Sequence, residues 1–171
     1  HDFLNAQYGA PVIAYPSVTA NYPKTIYPNI RPYYMGPLMA YHLLNDDNEI
    51  IKDGQTLSWF FEQTPDISAV VISMGEIDIR EQVVKREKVE SISLQESAER
   101  IGKRIIDYFR IVREKYTFPI FLNGIIGTGL KEAGTHPGIF GTIVERNLAS
   151  LYFDNYMRTE AHKLQSVYYM S

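Results

Sequence analysis

Val71-Ile72-Ser73-Met74-Gly75-Glu76-Ile77-Asp78 is the stretch on which the reading of this chain turns. It closes an apolar run from Ile67 to Met74 and is followed, one residue later, by Arg80. A run of this kind without alternation predicts a strand covered on both faces, as in a parallel sheet. Acidic and basic groups just past its carboxyl end stand where open α/β sheets hold their ligands. In extended backbone Glu76 and Asp78, two residues apart, share one face. Two such carboxylates push each other's pKa values apart, which suits acid–base work or metal binding, and Arg80 would neutralise either through a bidentate bond. The same three residues also read as a structural ion-pair cluster pinning the strand end.

Outward from this stretch, the pattern is strand–helix–strand–helix–strand. Ser93 and Glu96 have capping-box spacing. Behind them Leu94, Ala98, Ile101, Ile105, Tyr108, Phe109, Val112 and Tyr116 step by three and four along one face of a long helix. Phe118 to Ile126 reads as the next apolar strand, ended by Gly127-Thr128-Gly129. A second long helix is expected over Thr142–Leu164 with Ile143, Leu148, Leu151, Tyr152 and Tyr156 inward, and a strand over Ser166–Met170. That order argues for parallel β with crossover helices, an α/β fold. Upstream, Pro37–Leu44 and Leu57–Gln63 read as short helices around an Asn45–Asn48 turn, and 81–93 reads as an exposed loop. Residues 1–36 carry five of the nine prolines, with Tyr15-Pro16, Tyr22-Pro23 and Tyr27-Pro28 among them and a short strand at Val12–Tyr15. This stretch is too aromatic to stay solvated and reads as a long ordered loop.

The totals exclude several classes. At 171 residues the chain is expected to be one domain, 1–171. Its net charge of −3, with Lys and Arg scattered, gives nucleic acid no footprint. There is no cysteine, hence no disulfide scaffold, thiolate nucleophile or cysteine zinc site; this fits a reducing, cytoplasmic location. No apolar run approaches the ~18 residues of a membrane helix, so no membrane partner is expected. The start at His1, with neither a basic region nor an apolar core after it, is not that of a signal peptide and marks a processed or truncated terminus.

Gly75-Glu76-Ile77-Asp78-x-Arg80 after a buried strand, with Met35-Gly36-Pro37-Leu38-Met39-Ala40-Tyr41 upstream, resembles a bacterial branch of the SGNH/GDSL hydrolase superfamily. That branch carries a GEIDxR block and an upstream LGPxTAY-like segment, and Pro137-Gly138 through Glu145-Arg146 to Phe153-Asp154-Asn155 is similar to its last long helix. The resemblance implies a flavodoxin-like three-layer α/β/α sandwich with a mainly parallel sheet. It implies a serine nucleophile in a Gly-Asp-Ser block ending just before His1, and an Asp-x-x-His base block after Ser171, so that the chain is a fragment trimmed at both ends. Gly36 maps to the glycine whose amide faces the oxyanion, although it also reads as a helix-start glycine. Ile77 stands where most of the superfamily has an oxyanion-hole asparagine, and its side chain cannot donate; Arg80 is the candidate replacement.

Two further residues are candidate substrate contacts. Asn123 lies near the end of strand 118–126, where it reaches the same crevice or satisfies nearby backbone. His136, in a Gly-Thr-His-Pro-Gly loop, precedes the last helix, the wrong place for the superfamily's base. No metal or other cofactor is expected: no two histidines have ligand spacing, and Glu76 with Asp78 makes half a site at best. Gly127-Thr128-Gly129 lacks the ending of a phosphate loop, and Ser73 lacks the upstream glycine of a nucleophile elbow. The reading is therefore an SGNH-like serine esterase or acyltransferase on an acylated carbohydrate or another small ester. The alternative is a non-catalytic binding or assembly module on the same scaffold, with the Tyr/Pro-rich first 36 residues as its recognition surface.

Overall fold

The computed structural model describes residues 39–40, 43–44, 50–52, 55–62, 66–125 and 139–170. The expectations for Val12–Tyr15, and for most of 37–49, lie outside these residues. Asp53-Gly54, a hairpin-type dipeptide, separates β1 (Ile50–Lys52) from β2 (Gln55–Thr56), which pair antiparallel. The pair precedes α1 (Leu57–Glu62), which starts at the Leu57 expected from the sequence.

The main sheet is parallel, in the order β3 (Val70–Ser73), β4 (Ile120–Asn123), β5 (Val167–Met170). Its register aligns Val70, Ile120 and Val167, and three residues on Ser73, Asn123 and Met170. The chain is thus α/β, with α4 (Leu94–Lys115) joining β3 to β4 and α5 (Ile143–Ala161) joining β4 to β5. Ile72, Ile120, Leu122 and Val167 enter one core with Ile101, Ile105, Phe109, Phe153 and Met157 of the two helices.

Among the described residues nothing covers the opposite face of the sheet, so the strand expected to be covered on both sides is covered on one. Val71 is 67% and Tyr168 50% exposed, Met170 is also exposed, and Phe121 stacks on Tyr168 with ring centroids 5.1 Å apart. The residues of β3 alternate in burial although the sequence around them does not alternate in polarity. The apolar run read as two-sided because its outward residues are as hydrophobic as its inward ones.

α4 follows the sequence closely. The Ser93 hydroxyl accepts the Glu96 amide at 3.0 Å, and Ala98, Ile101, Ile105, Tyr108, Phe109 and Val112 are buried. The Glu96 carboxylate is bonded to Arg100 at 2.7 Å. α5 starts on a full capping box: Thr142 Oγ1 accepts the Glu145 amide at 3.1 Å and Glu145 Oε2 accepts the Thr142 amide at 2.6 Å. That backbone bond is the main reason the Glu145 carboxyl lies below its ordinary pKa.

The inward face of α5 is the expected one only in part: Tyr152 and Tyr156 pack against the core, but Leu148 and Leu151 do not. Ala149, Phe153, Met157 and Ala161 are buried, whereas Leu148 is 39% and Leu151 54% exposed. Both faces of this helix carry apolar residues, so periodicity alone cannot choose between them. Packing chooses the face with alanines, because α4 and α5 approach closely: a Cβ on Gly102 would stand 2.6 Å from Tyr156 Cδ1.

The segment 81–93 is helical through Glu90 rather than an exposed loop. After α2 (Glu76–Asp78) comes a π-helical turn, Ile79–Val83, then α3 (Val84–Glu90). Ile79, Val83 and Val84 are fully buried and anchor it, which overrides the weak helix propensity of β-branched residues.

Candidate functional site

The site is built where β3 ends. Gly75 turns the chain with φ 98°, a left-handed conformation that glycine adopts without strain. A Cβ there would also stand 3.0 Å from the Phe153 ring and 3.3 Å from Ile125 Cδ1. The Ile79 amide bonds to the Gly75 carbonyl at 2.9 Å, so the backbone is helical directly beyond the glycine.

Helical backbone changes which groups meet. Residues two apart on a helix point to different sides, while those four apart are neighbours. Glu76 and Asp78 therefore do not share a face, contrary to the extended reading. Arg80 Nε donates to Glu76 Oε1 at 3.1 Å, and Arg80 Nη1 lies 3.3 Å from Glu81 Oε1. These three form a partly exposed polar cluster at the mouth of the sheet.

Asp78 points the other way. It is fully buried, and its Oδ2 accepts the backbone amide of Ala40 at 2.8 Å. Ala40 opens a turn in which the Leu43 amide returns to the Ala40 carbonyl at 3.2 Å. The aspartate thus ties the segment that follows Gly36-Pro37 in sequence to the GEID block.

Asn123 is in register with Ser73, two residues before Gly75, and is half-buried. It shares the carboxyl end of the sheet with the cluster, and alternation places it with Ser73 on the open face. Ile77 is half-buried. Gly36 and His136 lie outside the described residues. The chain returns at Phe140, whose amide bonds to the Arg80 carbonyl at 3.0 Å and whose ring lies 5.3 Å from Lys85 Nζ.

Sequence reasoning missed two buried polar features at this end. Arg146, in the first turn of α5, is fully buried and donates to the Gly141 carbonyl at 2.6 Å. Tyr169 on β5 donates to Asp154 on α5 and has a backbone hydrogen bond with Ile125. Burial, then the bond to Asp154, pushes the Tyr169 phenol far above its ordinary pKa. A family-like stretch contains Arg146 and Asp154, but nothing local to either tells of burial or of a partner fifteen residues away.

The raised phenol pKa has a definite sign. At alkaline pH the unfolded chain ionises this tyrosine near the ordinary value of about 10 while the folded chain keeps its proton, so stability falls as pH rises above that value. Tyr169→Phe should lose that alkaline component in denaturant titrations between pH 9 and about 11. At neutral pH it should cost about 1–3 kcal/mol for the unsatisfied Asp154 acceptor.

Two grooves, of about 440 and 470 Å3, lie elsewhere. The first is at the amino end of the sheet, against Phe61, Tyr116 and Phe118; the second runs beside α4, against Arg100 and Arg104. Neither is lined by Glu76, Asp78, Arg80 or Asn123. Among the described residues no three His, Cys, Asp or Glu gather as metal ligands, and no helix is long and apolar enough to cross a membrane.

Compared with models of known protein families, with curated proteins and with solved structures, the chain matches none. Its chemistry is therefore read from its own residues. Those residues form a carboxylate–guanidinium cluster at the carboxyl end of a parallel sheet, seated on a π-helical turn. Such turns are rare and concentrate at functional sites.

Proposed function

We propose that this chain forms the core of an SGNH-like serine esterase or acyltransferase acting on an acylated carbohydrate or another small ester. The observation that carries the reading is the 2.8 Å bond from the Ala40 amide to Asp78. It joins two sequence blocks that the SGNH resemblance pairs, at the end of the sheet where α/β folds bind ligands. Arg80, partly exposed and held by Glu76 and Glu81, offers guanidinium N–H donors to an oxyanion at a position where the Ile77 side chain offers none. The open face bearing Val71, Phe121 and Tyr168 is the bed for the second helical layer of a three-layer sandwich. A cytoplasmic location fits the cysteine-free composition.

The reading requires a serine immediately before His1, to attack the acyl carbon, and a histidine beyond Ser171, to take its proton. Sequencing the gene on both sides tests that requirement, and labelling of the full-length protein by a fluorophosphonate tests the chemistry. Arg80→Ala should cut turnover of p-nitrophenyl acetate at least ~10-fold, as the loss of one electrostatic contact to the transition state does. Unchanged turnover would remove Arg80 from the mechanism.

A second reading, a binding or assembly module, is favoured by the same open sheet face: exposed aromatic and aliphatic residues on a flat surface suit an interface. Absence of fluorophosphonate labelling, with an intact fold, would select it.

A further inference from the structure

Asp78 has no exposed surface, so it cannot touch a substrate, and one of its partners is the backbone amide of a different segment. We infer that Asp78 is a positioning residue, which fixes the turn at Ala40 against the start of the helical stretch and, with it, the stretch that carries Glu76 and Arg80. The inference deepens the esterase reading and rests on it.

Three observations converge. A buried acidic side chain is costly to desolvate and persists only where its oxygens find partners. Asp78 stands in the first turn of the helical segment 76–90, where backbone amides favour an acidic side chain. The bond from the Ala40 amide to the Asp78 side chain runs at 2.8 Å between segments 38 residues apart. The residue two before Asp78 and the residue two after it form the exposed ion pair. One short helical stretch therefore presents its charged pair at the mouth while its buried acid holds the wall.

The test uses the natural full-length protein with p-nitrophenyl acetate as substrate, together with hydrogen exchange at the Ala40 amide. In Asp78→Ala the Ala40 amide should exchange at least ~10-fold faster, and kcat should fall at least ~10-fold with KM nearly unchanged. Asp78→Asn keeps an oxygen acceptor and should restore both to within about 3-fold of wild type. That rescue is one that a catalytic acid or base would not show. If the alanine variant does not fold, Asp78→Glu takes its place: it keeps the charge, displaces the carboxylate by one methylene, and carries the same expected losses.

Unaltered exchange at Ala40 in Asp78→Ala would overturn the inference while an active wild type left the esterase reading standing. So would equal loss of kcat in the alanine and asparagine variants with Ala40 still protected, since Asp78 would then act on the reaction and not through the turn. A wild type that neither hydrolyses the ester nor takes the fluorophosphonate would defeat the esterase reading and the inference with it. That result is distinguishable because it appears before any substitution is made.

Discussion

Phe153→Ala should lower the unfolding free energy by about 3–5 kcal/mol, the range for truncating a fully buried aromatic side chain. Phe153 is 1% exposed and stands between the core and the site. Its ring edge fills the space beside Gly75, where even a methyl group would find only 3.0 Å. The loss should therefore register in two ways. Urea denaturation should give a lower midpoint, with the slope unchanged if only the native state is affected. Proteolysis under native conditions should open cleavage in the 75–83 segment before global unfolding, because that segment loses the ring it leans on. A stability loss under about 1 kcal/mol would mean that the neighbours collapse into the space and that Phe153 does not brace the turn.

Gly75→Ala probes the same junction from the other side. The left-handed backbone at φ 98° costs a non-glycine residue roughly 1–2 kcal/mol, and the added methyl must push against the Phe153 ring and Ile125. Overpacking of this kind adds about 1–3 kcal/mol, so the total loss should be about 2–5 kcal/mol in denaturant titration. Gly75→Ala combined with Phe153→Leu should recover part of the second contribution and none of the first, because the smaller side chain makes room without changing φ. Full additivity of the two substitutions would show that the methyl and the ring do not meet.

How much of this architecture the sequence disclosed depended on how local each signal was. The long helix from Leu94 was legible because its apolar positions recur at three and four over about six turns and its cap lies three residues from the capped amide. The strands at 120–123 and 167–170 fell inside the expected apolar runs, so the parallel α/β order was legible too. The second long helix was found, but its orientation only in part: Tyr152 and Tyr156 pack against the core as expected, while Leu148 and Leu151, as apolar as Phe153 and Met157, are exposed.

The site residues show the same division. A strand emptying into Gly-Glu-Ile-Asp was visible, and the charged residues that follow it lie at the carboxyl end of the sheet. Whether those four residues continue as strand or begin a helix was not visible, because nothing local distinguishes the two. That choice decides whether Glu76 faces Asp78 or Arg80. The tie from Asp78 to Ala40 and the tie from Tyr169 to Asp154 join residues far apart in the chain, with no signature in either neighbourhood.

The tie across 38 residues also bears on the order of folding. Closing a loop of that length carries an entropic penalty that no contact inside the GEID block can offset. The aspartate becomes buried only once the distant turn has arrived to receive it, so the mouth of the sheet cannot form from the GEID block alone. A peptide excised around residues 70–90 would accordingly keep the motif and lack the cleft.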